Sequence, residues 1–598
     1  MASELEREEA GYGIISRYMG IDGRWVEAPE PARRALIRVL AATGPVTSRD
    51  MQSPWPPPPQ SSPSHRCYLP SFLKVGRAWG ITCQLYGLRS RRNWGIGDFE
   101  DLAQLCELAA DQGADFVGVN PLHALFLADP GCCSPFSPSH RNFLNPLYIA
   151  VDQLQDYDGR ESARLEELRG APLLDYPAVA HEKMSALHRI WKRHGCQAPA
   201  EFLEEGGEGL RLHALFEALS LYLAEERGRG WHSWPTDYQH PDNTRVQEFA
   251  AERQEEVSFH IWLQWIADQQ LRAAARRASA AGMRIGLYLD LAVGTAPDGS
   301  ETWCDRALTV VGAEIGAPPD MFNPAGQSWG LAPTSPRALE EREFRPLHRS
   351  YQAILRHAGA LRIDHAMSLY RLFWIPEGFA AAEGAYVLYP MKGVLRSLCN
   401  TSQEAEAIII GEDLGVVPAG FRKAMQESGL LGYRLFFFER GKQGFFSPEE
   451  WPAPALACIG SHDTATLAGW WSGHDLDVRQ VIEPLDAESH LRQQRERDEE
   501  REQVRAFIRE HLGREIGKSF TPALAVAIHT LVARTPSRLM AVQLEDLLGL
   551  EEQPNLPGTT AEHPNWRRRL PIPLEELTVH PLFREVVAAV AAERPFVE

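Results

Sequence analysis

Short apolar runs recur along this chain, separated by longer amphipathic stretches, and that alternation limits the folds open to it. The runs are Gly80–Leu85, Asp115–Asn120, Arg284–Asp290, Ala360–Asp364, Ala407–Glu412, Leu456–Ser461 and Arg538–Gln543, with an eighth candidate at Tyr433–Phe438. Strands that are apolar on both faces belong to parallel sheets covered by helices on both sides. Eight of them with helical patterns between predict an α/β fold, a (β/α)8 TIM barrel carrying mostly helical inserted subdomains.

A length of 598 residues would suit about four ordinary domains, but a barrel with insertions absorbs most of it. Residues 1–52 read as a short helical N-terminal extension, with the helix over Pro31–Gly44: Pro stands early and Gly at the end. Residues 53–66 form a Pro/Ser-rich stretch that packs no element and reads as a linker. Residues 67–598 form the expected catalytic barrel, with an inserted subdomain at about 121–270 and further loop insertions. The charged stretch 485–516 reads as a helix with a solvated face of i,i+4 pairs.

Composition closes several function classes. With 80 acidic against 61 basic residues the net charge is −19, which disfavours nucleic acid and anionic membrane as partners. The acidic start lacks the apolar core of a signal peptide, and no run of about 18 apolar residues occurs. Nine cysteines, odd in number and without ligand spacing, read as reduced thiols, so the expected location is the cytoplasm. No phosphate loop of the G-x-x-x-x-G-K type and no H-E-x-x-H zinc helix is present.

Four of the strands end in an acid: Asp290, Asp364, Glu412 and Asp463. The C-terminal strand ends of a barrel converge on one mouth, so these side chains are expected to meet. One such acid is ordinarily a helix cap or an ion-pair partner; several on consecutive strands point to chemistry. Retaining glycosidic cleavage needs this set: one carboxylate attacks the anomeric carbon and a second, protonated, about 5–5.5 Å away, feeds the leaving oxygen. Arg362, two residues before Asp364, falls on the same side of its strand and can hold that carboxylate. His365 and His462 can donate to sugar hydroxyls or to a carboxylate.

The same segments carry a resemblance. Gly80–Ser90, Asn93–Leu102, Asn120-Pro-Leu-His123, Ser134–Ser139, Asn145–Tyr148, Asp290–Gly294, Gly316–Asp320 and Gly326–Gly330 stand in order, followed by Arg362–His365, Phe373–Pro376, Gly411–Gly415, Ser461-His-Asp463 and Glu562–Leu570. From about residue 67 to about 570 the chain resembles the 4-α-glucanotransferases (amylomaltases or disproportionating enzymes, glycoside hydrolase family 77) of the α-amylase clan. The resemblance implies Asp364 as nucleophile, Glu412 as general acid/base and Asp463 as transition-state stabiliser. It places Arg362, His462, His365 and Asp290 around them, and Trp94, Gln327 and Trp329 where the family contacts glucan.

It further implies α-1,4-glucan substrates such as maltodextrins, glucose as an acceptor, and neither metal nor other cofactor. The segment Met321–Trp329 is the expected covering loop. The chain departs from the family in reading Gly-Leu-Ala-Pro after Trp329, where many members have Gly-Asn-Pro. The shortness of its N-terminal region, against the β-domains of longer members, is a second departure. Two other outcomes fit parts of the same pattern: an α-amylase-like hydrolase with these carboxylates, and a catalytically inactive glucan-binding barrel, which would lack one of the three acids.

Overall fold

All eight expected strands form. The computed structural model describes residues 4–20, 23–42, 66–160, 162–195, 197–319, 323, 325–441, 444–482 and 486–596. The barrel strands are β1 (Ala78–Cys83), β2 (Phe116–Val119), β3 (Gly286–Leu291), β4 (Ala360–Ile363), β5 (Ile408–Gly411), β6 (Gly432–Leu435), β7 (Ala455–Cys458) and β8 (Leu539–Gln543). They pair in parallel in the order β5-β4-β3-β2-β1-β8-β7-β6, and a parallel bridge between Ile410 and Leu431 joins the two ends of that sheet.

Alternation along the strands sorts their side chains. Phe116, Tyr288, Ala360, Ile408, Tyr433, Leu456 and Leu539 share one buried cluster inside the ring. Tyr288 and Ala360 are opposite each other in register, and two residues further along so are Asp290 and Arg362. The inward stripe therefore turns from apolar to charged at the C-terminal mouth. The outward faces pack against helices such as Phe99–Asp111 and Pro581–Glu593 in a second, larger core.

Between β2 and β3 lies the insertion. It holds the hairpin His123–Ala124 with His140–Leu144 and the helices Arg164–Gly170, Tyr176–His194, Ala200–Arg227 and Thr244–Glu252. Helix Ala200–Arg227 kinks at Gly207, whose φ of 53° only glycine adopts easily. The boundary expected at 270 falls inside helix Gln254–Ala280, which packs on helix Phe99–Asp111 and on β3 as a barrel helix does.

Two expectations need correction. The N-terminal extension is more than helical: besides Glu4–Tyr12 and Glu30–Ala41 it contributes strand Ile14–Ile15 and a hairpin of Arg17–Met19 with Trp25–Glu27. Ile14 and Ile15 pair with Val387 and Tyr386 at the edge of a five-stranded antiparallel sheet. Its other strands are Ala385–Leu388, Arg371–Pro376, Ala313–Ala317 and Gln327–Leu331, short pieces broken by Gly and Pro that give little period-2 signal. The second concerns the charged helix, Ala487–Leu512. Its ion pairs run i,i+3 (Asp498–Arg501, Glu502–Arg505), and Arg497, Val504, Phe507 and Ile508 are buried. The linker expected at 53–66 lies, except for Arg66, outside the described residues. Among the described residues no helix is long and apolar enough to cross a membrane.

Candidate active site

Register delivers the carboxylates. Ile363 at the end of β4 pairs with Leu291 on one side and Gly411 on the other, so Asp364 and Glu412 follow side by side. Two backbone bonds continue the ladder there: Asp364 N–H donates to the Leu291 carbonyl at 3.1 Å, and Glu412 N–H to the Ile363 carbonyl at 3.1 Å. Gly411 leaves little room for a side chain at this point, since a Cβ would stand 2.5 Å from Met425 Cε and 3.0 Å from Ala366 Cβ, and both would have to shift.

Arg362 gathers the acids. Its Nη1 donates to both Asp290 oxygens at 2.8 and 2.7 Å, while Nη2 lies 3.0 Å from Asp364 Oδ1. Burial works against the Arg362 charge, but Asp290, Asp364 and Glu412 outweigh it and hold the guanidinium well above its ordinary range. For Asp290 burial dominates: its carboxyl is pushed up to about 6 despite Arg362, and Asp364 adds to the rise. The guanidinium also lies over the rings of Tyr433 and Phe136, at 5.7 and 5.8 Å from their centroids.

Glu412 is pushed up to about 7, first by burial and then by Asp364, with Arg362 and two backbone donors opposing. Those donors are the N–H groups of His365 on Oε2 and Leu414 on Oε1, each at 2.9 Å. His365 reaches that position with φ at 44°, a conformation uncommon outside glycine. Burial holds its imidazole down at about 4, so the ring is neutral at pH 7. The ring meets Trp329 edge-on at 5.1 Å, and Trp329 Nε1 donates to Gln327 Oε1 at 3.1 Å. Gln327 and Trp329 thus connect to Glu412 through His365.

Asp463 follows β7 and is the open member, its side chain 44% exposed. Partial desolvation at the mouth works to raise its pKa, but His462, with Nε2 3.3 Å from Oδ2, and the amide of Asn555, donating to Oδ1 at 2.7 Å, bring it down to about 2. His462 stacks on Phe136 at 4.6 Å and tilts against Trp566 at 5.6 Å.

Nine of the ten residues expected at the site therefore join one connected mouth. Trp94 does not: it is 2% exposed, edge-on to Tyr157 at 6.0 Å, and has no open face for a sugar. The turn that carries it is locked by Asn93, whose amide reaches Asp101 and accepts from Arg569. Of the covering loop expected at Met321–Trp329, residues 321, 322 and 324 lie outside the described residues. Phe136, Trp566 and Asn555 were not assigned from sequence. Phe136 lies in Ser134–Ser139 and Trp566 in Glu562–Leu570, two segments that carry the family resemblance; Asn555 lies in no such segment.

A family model described as 4-alpha-glucanotransferase matches residues 83–575. The chain is 37% identical over 541 residues to a 4-alpha-glucanotransferase of Haemophilus influenzae, spanning 85% of this chain and 77% of that protein. One from Mycobacterium tuberculosis (strain H37Rv) is 36% identical over 551 residues, spanning 88% and 76%. Among solved structures, amylomaltase from Corynebacterium glutamicum superposes with a TM-score of 0.84 at 24% identity, over 98% of this chain and 99% of that one. Amylomaltase from Streptococcus agalactiae in complex with acarbose gives 0.71 at 18% identity, over 86% and 99%. Both likenesses concern the fold.

Proposed function

The chain belongs to the 4-alpha-glucanotransferase family, and from that premise we propose that Asp364 is its nucleophile, Glu412 its acid/base and Asp463 its transition-state stabiliser. The enzyme acts on α-1,4-glucans. The observation that carries the residue assignment is the asymmetry of two adjacent carboxyls. Asp364 is ion-paired to Arg362, whereas Glu412 is half-buried and pushed up to about 7, so a large fraction carries a proton at neutral pH.

The reaction then runs in two displacements. An Asp364 oxygen attacks the anomeric carbon while the Glu412 proton goes to the leaving glycosidic oxygen, giving a covalent glucosyl-enzyme and a shortened glucan. Glu412, now ionised, takes the proton of an acceptor 4-hydroxyl, which attacks the same carbon and expels Asp364. Two inversions restore the α configuration. Asp463, ionised and exposed, is placed to accept from sugar hydroxyls as positive charge builds on the ring, with His462 as a further donor. Arg362 and Asp290 keep Asp364 oriented, while His365, Trp329 and Gln327 form the acceptor side.

Acceptors include maltodextrins and glucose itself. Transfer outruns hydrolysis when sugar reaches the intermediate before water does. Incubation with maltotriose tests this: glucose plus a ladder of longer maltodextrins is expected. Maltose and glucose accumulating without a ladder would refute transfer in favour of hydrolysis. Asp364→Asn should lose turnover by at least about 10³-fold while still binding glucan, and unchanged turnover would remove it as nucleophile.

A further inference from the structure

Trp566 holds a backbone conformation that tryptophan rarely takes, with φ at 60°. Such a residue persists where its surroundings hold it. Two hydrogen bonds do so here. Its N–H donates to the Pro554 carbonyl at 3.0 Å, and its own carbonyl accepts from the phenol of Tyr176 at 2.8 Å. Tyr176 is 3% exposed and is the first residue of helix Tyr176–His194, which belongs to the insertion and not to the barrel. The chain just ahead of it is tied to the same segment, with Leu174 N–H donating to the Arg567 carbonyl at 2.7 Å and Arg567 Nε returning to the Leu174 carbonyl at 3.1 Å.

The consequence of that turn is where the indole goes. Trp566 lies 5.6 Å from the His462 ring and 5.4 Å from Phe136, which itself stacks on His462 at 4.6 Å. His462 in turn stands 3.3 Å from Asp463. We propose that Tyr176 is a positioning residue for His462 and Asp463, acting through the left-handed turn at Trp566. Without the phenolic donor the Trp566 carbonyl loses its buried partner, the turn relaxes toward negative φ, and the wall behind His462 moves. The insertion is then part of the catalytic geometry. This inference rests on the proposed role of Asp463.

A mutant cycle tests it, with kcat and KM on maltotriose measured for the wild type, Tyr176→Phe, His462→Asn and the double variant, plus Asp463→Asn as a reference. All assays run well below the lowest melting midpoint of the set, so a less stable variant is still compared folded. Tyr176→Phe is expected to lower kcat on the order of tenfold with KM little changed. In the His462→Asn background the same substitution should change kcat by less than about twofold, because His462, the link through which Trp566 reaches Asp463, is gone. Wild-type kcat in Tyr176→Phe overturns the inference, and so does an equal fold-loss in both backgrounds, the signature of a merely structural tyrosine. Wild-type kcat in Asp463→Asn overturns the assignment of Asp463 itself, and the inference with it.

Discussion

His365 donates its backbone N–H to Oε2 of Glu412 at 2.9 Å while its ring stands edge-on to Trp329. One residue so links the proposed proton carrier to the proposed acceptor side. Glu412 is pushed up from 4.5 to about 7, first by burial. The first displacement needs it protonated, so kcat/KM should fall as pH rises through about 7. A pH–rate profile checks this, and an alkaline limb unmoved from that of the wild type in Glu412→Gln would assign the limb to another group.

Arg362→Lys keeps a positive charge but not the fork that spans Asp290 and Asp364. Turnover should drop by about 10²-fold, the cost of an ångström-scale misplacement of a reacting group. Arg362→Ala should in addition destabilise the fold by about 3–5 kcal/mol, because Asp290 is buried and loses its partner. Steady-state kinetics and thermal melting separate the two effects.

Replacing Trp329 by Ala removes an aromatic wall beside His365 without touching a carboxylate. KM for glucose as acceptor should rise about 3- to 10-fold, and the share of intermediate captured by water should grow. Trp329→Phe should recover part of the loss. Product ratios measured against acceptor concentration read both quantities.

Glu217, in helix Ala200–Arg227, is 3% exposed, and burial pushes its carboxyl up to about 8. Between its ordinary 4.5 and about 8 the unfolded chain releases a proton that the folded chain keeps. Its contribution to stability is thus fully present below pH 4.5 and is lost as pH rises through about 8. In that window wild-type stability should fall relative to Glu217→Gln with a slope approaching about 1.4 kcal/mol per pH unit. Denaturant titrations of both proteins at several pH values measure the difference.

The barrel was legible because apolar runs of strand length are hard to build any other way, and because Asp364, Glu412 and Asp463 each mark a strand's last turn toward the mouth. Register did the rest: once Ile363 pairs with Gly411, the next residues must be neighbours. The antiparallel sheet escaped notice because Ile14–Ile15 is only two residues long and finds its partner near residue 387, a pairing no local pattern announces. Trp94 misled for a different reason. Its segment does carry a tightly built turn, but the turn exists to hold Asn93 and Asp98 in a buried polar network, and the indole goes inward with it. Asn555 was invisible because a single amide in an irregular stretch carries no periodicity.

The pairing of β1 with β8 makes the barrel a ring whose seam joins the two ends of the catalytic chain. Arg594 donates to the Ala78 carbonyl across 516 residues of sequence. At about 5–20 residues per second of synthesis, those residues take roughly 25 to 100 s to appear. Until β8 emerges within that interval, β1 lacks the partner for one edge, and a bare strand edge is a template for mispairing. The closing strand is thus the last of the barrel to be made, and until it pairs the sheet is open on that side.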